Sequence, residues 1–314
     1  MGCLNHEKPQ LKPNLGSGYL KLGYWLYRFA RSGAKTAGIA GLLRATIGPS
    51  VARFVFKNST GTGRTTLVNG HQMVLAEKGQ YPPFAMAMNK YEIGTTRLLQ
   101  EIIEPGMVVI DAGAHVGYFT LLAARQVGPH GKVYAFEPNP ANYRLLRQNI
   151  EFNGYDNIVA TQKAVSKSGG VAQLVLSSRD NGTHSLYSQG LPNAEKISVD
   201  MISLDEFLAD EGWPKVDLVK MDVEGAELDV LEGMGRLLQM SPDLRLVMEF
   251  NPALLHNASV EPSKLLIEVD ELDFKVLVID DVEGATPINE ANAPSFTKAL
   301  LKSESSVNLL CTKR

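Results

Sequence analysis

Cysteine is almost missing from this chain: Cys3 and Cys311 stand at opposite ends, without metal or redox spacing. That excludes a disulfide framework and a thiolate zinc site, and it points to a reducing compartment, so a cytoplasmic location is expected. No apolar run is long enough to span a bilayer, and the first twenty residues lack the apolar stretch of a secretory leader. Met1-Gly2 suggests myristoylation, but His6 stands where Ser or Thr is required. Internal repeats and low-complexity tracts are absent. What is present, 314 residues with 44% hydrophobic and 21% charged, is ordinary for a globular chain that buries a large core.

Acidic residues are scarce in one region. Of the 34 Asp and Glu only Glu7 falls within residues 1–64, whereas ten of the 31 Lys and Arg do, so the leader carries +9 and the remainder −12. A basic leader on an acidic body suits an anionic partner (a membrane surface, a nucleic acid or an anionic glycan) or a positive face solvated against the body. Residues 19–47 carry an apolar-aromatic helical face, with Lys21, Arg28, Arg31 and Lys35 in one quadrant. Such a helix packs on a core or lies in a membrane interface, which keeps peripheral membrane contact among the expected partners. The expected organisation is a basic, partly helical extension over residues 1–64 and one domain over 65–314. The domain's own strand and helix lead-in covers 65–105.

The chain is organised around Val108–Pro138. An apolar run ends in Asp111, then Gly113 to Gly117 turn into the apolar-periodic segment Tyr118–Val127, and Val133–Phe136 ends in Glu137-Pro138. This is strand, glycine turn, helix, turn, strand, the front half of a nucleotide-binding α/β unit. Gly113 and Gly117 allow close backbone approach to a ligand, and free amides at the helix start favour an anionic group. Glu137 stands where an acid accepts ribose hydroxyls. A third glycine in register is missing, so the turn departs from G-x-G-x-x-G and cradles pyrophosphate poorly. An adenosyl ligand with a carboxylate and no phosphate fits better, which points to S-adenosylmethionine.

Downstream, Ala141–Phe152 reads as a helix and Ile158–Val165 as the third strand. Val171–Leu176 and Ile197–Met201 are strand-like runs around the polar insert Ser177–Glu195, which carries His184. Val216–Met221 reads as the fourth strand, Ala226–Leu238 as the helix behind it, and Leu244–Met248 as the fifth strand. Helix Pro262–Leu272 and strands Phe274–Ile279 and Val307–Cys311 complete the alternation of a parallel sheet, with an antiparallel pair expected at its end. Four strand ends carry acids: Asp111, Glu137, Asp222 and Glu249. N-capping explains one such acid, not the clustering. Lys220 sits in an apolar strand on the same face as Asp222, either as a structural ion pair or flanking the acceptor and helping its hydroxyl lose a proton. His115 and His184 are alternative bases, although a His in a glycine turn also serves as a backbone hydrogen-bonder. Asp222 and Glu249 alone do not make a metal site, and none is expected.

The segments DAGAHVGYFTLLAA, KVYAFEPNPANYRLLRQNI and LVKMDVEGAELDVLEGM, with Tyr91-Glu92 upstream and MEFNP downstream, resemble the FkbM-type methyltransferases over roughly residues 65–280. The resemblance implies a seven-stranded Rossmann-like class I sheet, mostly parallel with an antiparallel last strand and helices on both faces, and S-adenosylmethionine as cofactor. It further implies that Asp111, Gly113, Ala114 and Gly117 hold the methionine part, Glu137 the ribose with Asn139 nearby, and Ala164 the adenine. Asp222, Glu224 and Gly225 border the reacting methyl, and Glu92 completes the cofactor wall. The expected activity is O-methylation of a hydroxyl on a small-molecule, glycan or lipid-linked acceptor, with Asp222, Lys220 and His184 as catalytic candidates. Rival readings are a nicotinamide-dependent oxidoreductase and a non-catalytic S-adenosylmethionine-binding protein. The N-P-P-Y tetrad of base-methylating enzymes is absent after the fourth strand, so nucleic acid is not expected as substrate.

Overall fold

The structure, a computed structural model, describes residues 66–76, 84–87, 89–176, 184–187, 194–280, 284–288, 292–303 and 305–314. The expected basic, partly helical extension of residues 1–64, with its helical face in residues 19–47, and most of the polar insert lie outside the described residues.

Thr66–Val68 (β1) and His71–Met73 (β2) form an antiparallel hairpin through Asn69-Gly70, the turn pair that hairpin twist favours. A helical turn, Phe84–Ala87 (α1), and Ile93–Ile102 (α2) lead into Val108–Ala112 (β3). Tyr118–Val127 (α3), Lys132–Phe136 (β4), Pro140–Asn153 (α4) and Ile158–Thr161 (β5) follow. Next come Ala164–Val165 (β6), Gly170–Val175 (β7), Lys196–Ile202 (β8) and Leu204–Asp210 (α5). Leu218–Met221 (β9) precedes Glu227–Glu232 (α6) and Gly235–Met240 (α7), and Arg245–Phe250 (β10) precedes Pro252–Asn257 (α8) and Pro262–Glu271 (α9). Phe274–Asp280 (β11), Gly284–Ile288 (β12), Ala293–Ser303 (α10) and Val307–Lys313 (β13) close the chain.

The main sheet has the order β12-β11-β13-β10-β9-β3-β4-β5. From β5 to β10 neighbouring strands are parallel, and β13 lies antiparallel between β10 and β11. The chain runs outward from β3 in one direction through β4 and β5, then returns to the other side of β3 for β9 and β10. This reversal creates a switch point between β3 and β9, and the carboxyl ends there are where such sheets take ligands. Alternate residues serve the two faces. Ile110, Tyr134, Val219 and Leu246 pack under α5 to α9, whereas Val109, Val133, Leu218 and Val247 pack under α2, α3 and α4. Helices therefore cover both faces, as expected. Among the described residues no helix is long and apolar enough to cross a membrane.

The sequence expectations differ from the fold in three places. The sheet gains an eighth strand, because β12 pairs antiparallel with β11, and α10 supplies the helix that was not foreseen between the last two strands. Pro287 in so short a run argues against a strand, but β12 is an edge strand, where proline is tolerated. The expected third strand, Ile158–Val165, divides: β6 leaves the main sheet and joins β8 and β7 in a separate three-stranded sheet. The helix expected over Ala226–Leu238 breaks into α6 and α7 at Gly233, where a side chain would lie 2.3 Å from the Ser166 carbonyl oxygen.

Candidate functional site

The loops after β3 and β9 meet at the switch point. A Cβ at Gly113 would lie 1.8 Å from the Asp222 carbonyl oxygen, and φ there is +80°. Gly117, with φ +94°, would drive a Cβ to 2.7 Å from Leu146 Cδ1. Both glycines are thus demanded by the protein's own packing, besides any ligand the turn admits.

The amides of this turn are also occupied. Gly113 and Ala114 donate to the Phe136 carbonyl at 3.0 and 2.8 Å, Gly117 donates to Ala114 O at 2.8 Å, and His115 N–H donates to Glu137 Oε2 at 2.8 Å. These four amides are spent within the protein; the helix-start amides of Tyr118, Phe119 and Thr120, from which an anion grip was expected, are a different set. Four of the five amides of the Gly113–Gly117 turn thus find partners on β4, Glu137 or the turn itself, as buried N–H groups require. Glu137 itself accepts from His115 and, at 2.9 Å, from Asn139 N–H. Burial raises its carboxyl to about 7, against the lowering pull of those two amides. Asn139 caps α4, accepting from the amides of Ala141 and Asn142 at 2.8 and 3.3 Å. Its proximity to Glu137 is real, and its side chain is engaged in the cap.

Deeper in the sheet, Asp111 and Lys220 stand opposite each other in register on β3 and β9, 2% and 6% exposed. Lys220 Nζ lies 3.5 Å from Asp111 Oδ1, 3.2 Å from Asp222 Oδ2, and 5.0 Å from the centre of the Phe119 ring. The second Asp111 oxygen accepts from Thr120 Oγ1 at 2.6 Å. Burial pulls the Lys220 ammonium down, but Asp222, Asp111 and Glu92 outweigh it and hold the group above its ordinary value. A lysine held this way is a buried cation that orders carboxylates.

Further acids gather around this pair. Glu92 precedes α2 in a left-handed conformation, φ 39°, and its Oε2 accepts from Asn308 Nδ2 at 2.8 Å. Asn308 also reaches Thr95 Oγ1 at 2.9 Å and stands in register with Glu249. Because β13 runs antiparallel, its first residues arrive at the carboxyl ends of the parallel strands. Burial, then Asp222, raises Glu92 to about 7 and Glu249 to about 8. Asp222, Glu224 and Glu249 place oxygens within 4.8 Å of one another. Only Asp222 and Glu249 were counted from sequence, so the argument that two carboxylates are too few no longer applies. Acids this close repel one another and favour a positive charge among them.

The polar insert touches the same turn. Ser185 Oγ donates to the Glu224 carbonyl at 2.6 Å, and the Tyr187 hydroxyl bonds Asp229. His184 directly precedes Ser185, the residue that meets the Asp222–Gly225 turn. Ala164 lies in the small sheet, packed with Leu174 and Val199. Asn308, Ser185 and Tyr187 were missed from sequence. For Asn308 a signal existed: it is a polar residue inside an apolar strand, as Lys220 is. Ser185 and Tyr187 lie in a polar insert with no periodicity, which gave none.

Residues 111–276 match the profile of the methyltransferase FkbM domain. Hexuronic acid methyltransferase AglP of Haloferax volcanii is 33% identical over 144 residues, 46% of this chain and 56% of that protein. The 31-O-demethyl-FK506 methyltransferase FkbM of Streptomyces tacrolimicus is 29% identical over 160 residues, 42% of this chain and 61% of that protein. The chain thus spans under two thirds of the length of these relatives. A solved S-adenosylmethionine-dependent O-methyltransferase from Thermotoga maritima aligns at TM-score 0.41 and 14% identity, over 83% of this chain and 81% of that one.

Proposed function

Because the chain belongs to the FkbM methyltransferase family, we propose that it transfers a methyl group from S-adenosylmethionine to a hydroxyl on a glycan, glycolipid or secondary metabolite. The observation that carries this reading is the meeting of a tightly packed glycine turn with a carboxylate-rich turn across one switch point. The first lacks the third glycine of the dinucleotide fingerprint, which disfavours a nicotinamide dinucleotide. The second suits a cofactor that brings positive charge. When bound, the cofactor supplies an electrophilic methyl on a sulfonium, so the protein needs chiefly to align and to exclude water.

The residues divide this work. Glu137, at the end of β4, is placed to meet sugar hydroxyls, and the Asp111–Gly117 turn gives the methionine part its wall. Asp222 and Glu224 border the acceptor side, with Asp222 oriented by protonated Lys220, which is a positioning cation and not a base. His184, anchored through Ser185, is the candidate proton acceptor. The activities for which the two relatives are named support a sugar acid or a natural-product hydroxyl as acceptor. An anionic or lipid-carried acceptor would suit the basic leader. Liposome co-sedimentation of the full chain against a charge-reversed K21E/R28E/R31E/K35E form should show weaker binding by the variant, and equal binding would end that idea.

The test of the function is transfer of labelled methyl from S-adenosylmethionine to a panel of uronic-acid glycans and polyketide hydroxyls. Label should appear on an acceptor and fall at least about a hundredfold in D222N. A chain that instead oxidised a hydroxyl with NAD would contradict the reading. Tight S-adenosylmethionine binding with no transfer to any acceptor would favour a non-catalytic binding protein.

A further inference from the structure

Among the described residues around the end of β9, carboxylates outnumber the Lys220 ammonium. Lys220 is shared by Asp111 and Asp222. Glu92, Glu224, Glu227 and Glu249 surround them, and Glu92 and Glu249 are held by neutral donors, Asn308 and Ser306. Glu249 faces Asp222 and Glu224 from β9 and its turn, Glu227 from α6, and Glu92 and Tyr91 from the segment before α2. Buried like charges at this spacing either take up protons or recruit a positive ligand.

We propose that Glu249, with Glu92, is a specificity-determining pair that makes the site favour the positively charged methyl donor over its neutral demethylated product. The inference rests on the methyl-transfer reading above and concerns the release half of the cycle. Transfer breaks the carbon–sulfur bond with its electron pair staying on sulfur, and a hydroxyl lone pair forms the carbon–oxygen bond. That hydroxyl's proton is set free. The reaction therefore exchanges a fixed positive charge for a proton, and the carboxylates that held the charge lose their partner. S-adenosylhomocysteine, a neutral thioether at the same position, leaves these acids to repel one another. Product release is thus eased because the acids that capture the donor give the neutral product no matching attraction, with no movement of the fold required.

Calorimetry on the full-length protein tests this with three probes: S-adenosylmethionine, S-adenosylhomocysteine and sinefungin, which carries an ammonium in place of the sulfonium. At pH 8.5 both charged probes should bind about tenfold or more tightly than the thioether, about 1.4 kcal/mol for each factor of ten. At pH 6.0, with the acids protonated, the preference should shrink several-fold. At intermediate pH, titrations in two buffers of different ionisation heat should show protons released on binding the charged probes and none with the thioether. E249Q keeps the shape of the side chain and should bind the thioether as before while losing most of the preference. The wild-type pH comparison stands even if that variant folds poorly. Equal or tighter binding of the thioether at both pH values would overturn the proposal, as would a preference unchanged in well-folded E249Q. Saturation of the ligand-free site by micromolar Mg²⁺ would overturn it too, the positive charge then belonging to a metal. If none of the probes binds, the methyl-transfer reading itself fails, a result distinct from equal binding of all three.

Discussion

The two turns that meet at the switch point are built on opposite principles. The turn after β3 spends its amides on Phe136, Ala114 and Glu137 and sets its glycines against neighbouring chain. The turn after β9 keeps its backbone tied by Ser185 and, among the described residues, presents carboxylates in excess of the buried Lys220 ammonium. One contributes shape and the other charge.

The strongest way to break this contrast is to remove the cation that joins the two turns. Lys220→Met would leave Asp111 and Asp222 without their shared partner, and urea unfolding should show a loss of about 3–5 kcal/mol. Next in size is the shape side: Gly113→Ala sets a methyl against the Asp222 carbonyl and forces a left-handed alanine, costing about 3 kcal/mol. Gly117→Ala should cost less, because its clash is with the movable Leu146 side chain. A loss for Gly117→Ala as large as for Gly113→Ala would undo the distinction drawn here.

The charge side answers to pH. Burial raises Glu92, Glu137, Glu227 and Glu249 from an ordinary value of 4.5 to between about 7 and 8. The folded chain therefore binds more protons than the unfolded one in this range. Their contribution is fully present below pH 4.5 and is lost as pH rises through 7 to 8. The thermal midpoint of the ligand-free protein should fall between pH 5 and 8.5, less steeply in E249Q, as differential scanning calorimetry would record. A midpoint that climbs over the same range would show these acids to be ionised and compensated. The smallest effect is expected from Ser185→Ala, which removes one hydrogen bond to Glu224 and should lower stability by about 1 kcal/mol. It should also loosen acceptor binding while leaving S-adenosylmethionine affinity unchanged.

How far the chain could be read before its structure was seen follows the same division. The front half was legible because local pattern and tertiary role agree there: Val108–Ile110 is apolar, Asp111 ends the strand, and the helix after Gly117 is strongly periodic. Glu137 and Asp222 were placed by the rule that ligands sit at strand carboxyl ends. What could not be read was the partner of each group. Whether the amides of Gly113 and Ala114 are free depends on Phe136, some twenty residues away, and no spacing rule states it. Asn308 reaches Glu92 across 216 residues of sequence, through a strand whose direction was foreseen but whose register was not. The departure of β6 from the main sheet turns on a two-residue break, Gln162-Lys163, inside a run that otherwise reads as one strand. Gly233 reads as a mild helix defect until the Ser166 carbonyl is seen beside it.

The central claim is that a phosphate-free adenosyl cofactor occupies the cleft between the Asp111–Gly117 turn and Asp222. Thermal unfolding of the full-length protein with either S-adenosylmethionine or NAD at millimolar concentration tests it most directly. The account predicts a midpoint raised by several degrees with S-adenosylmethionine and unmoved by NAD. A shift produced by NAD alone would contradict it.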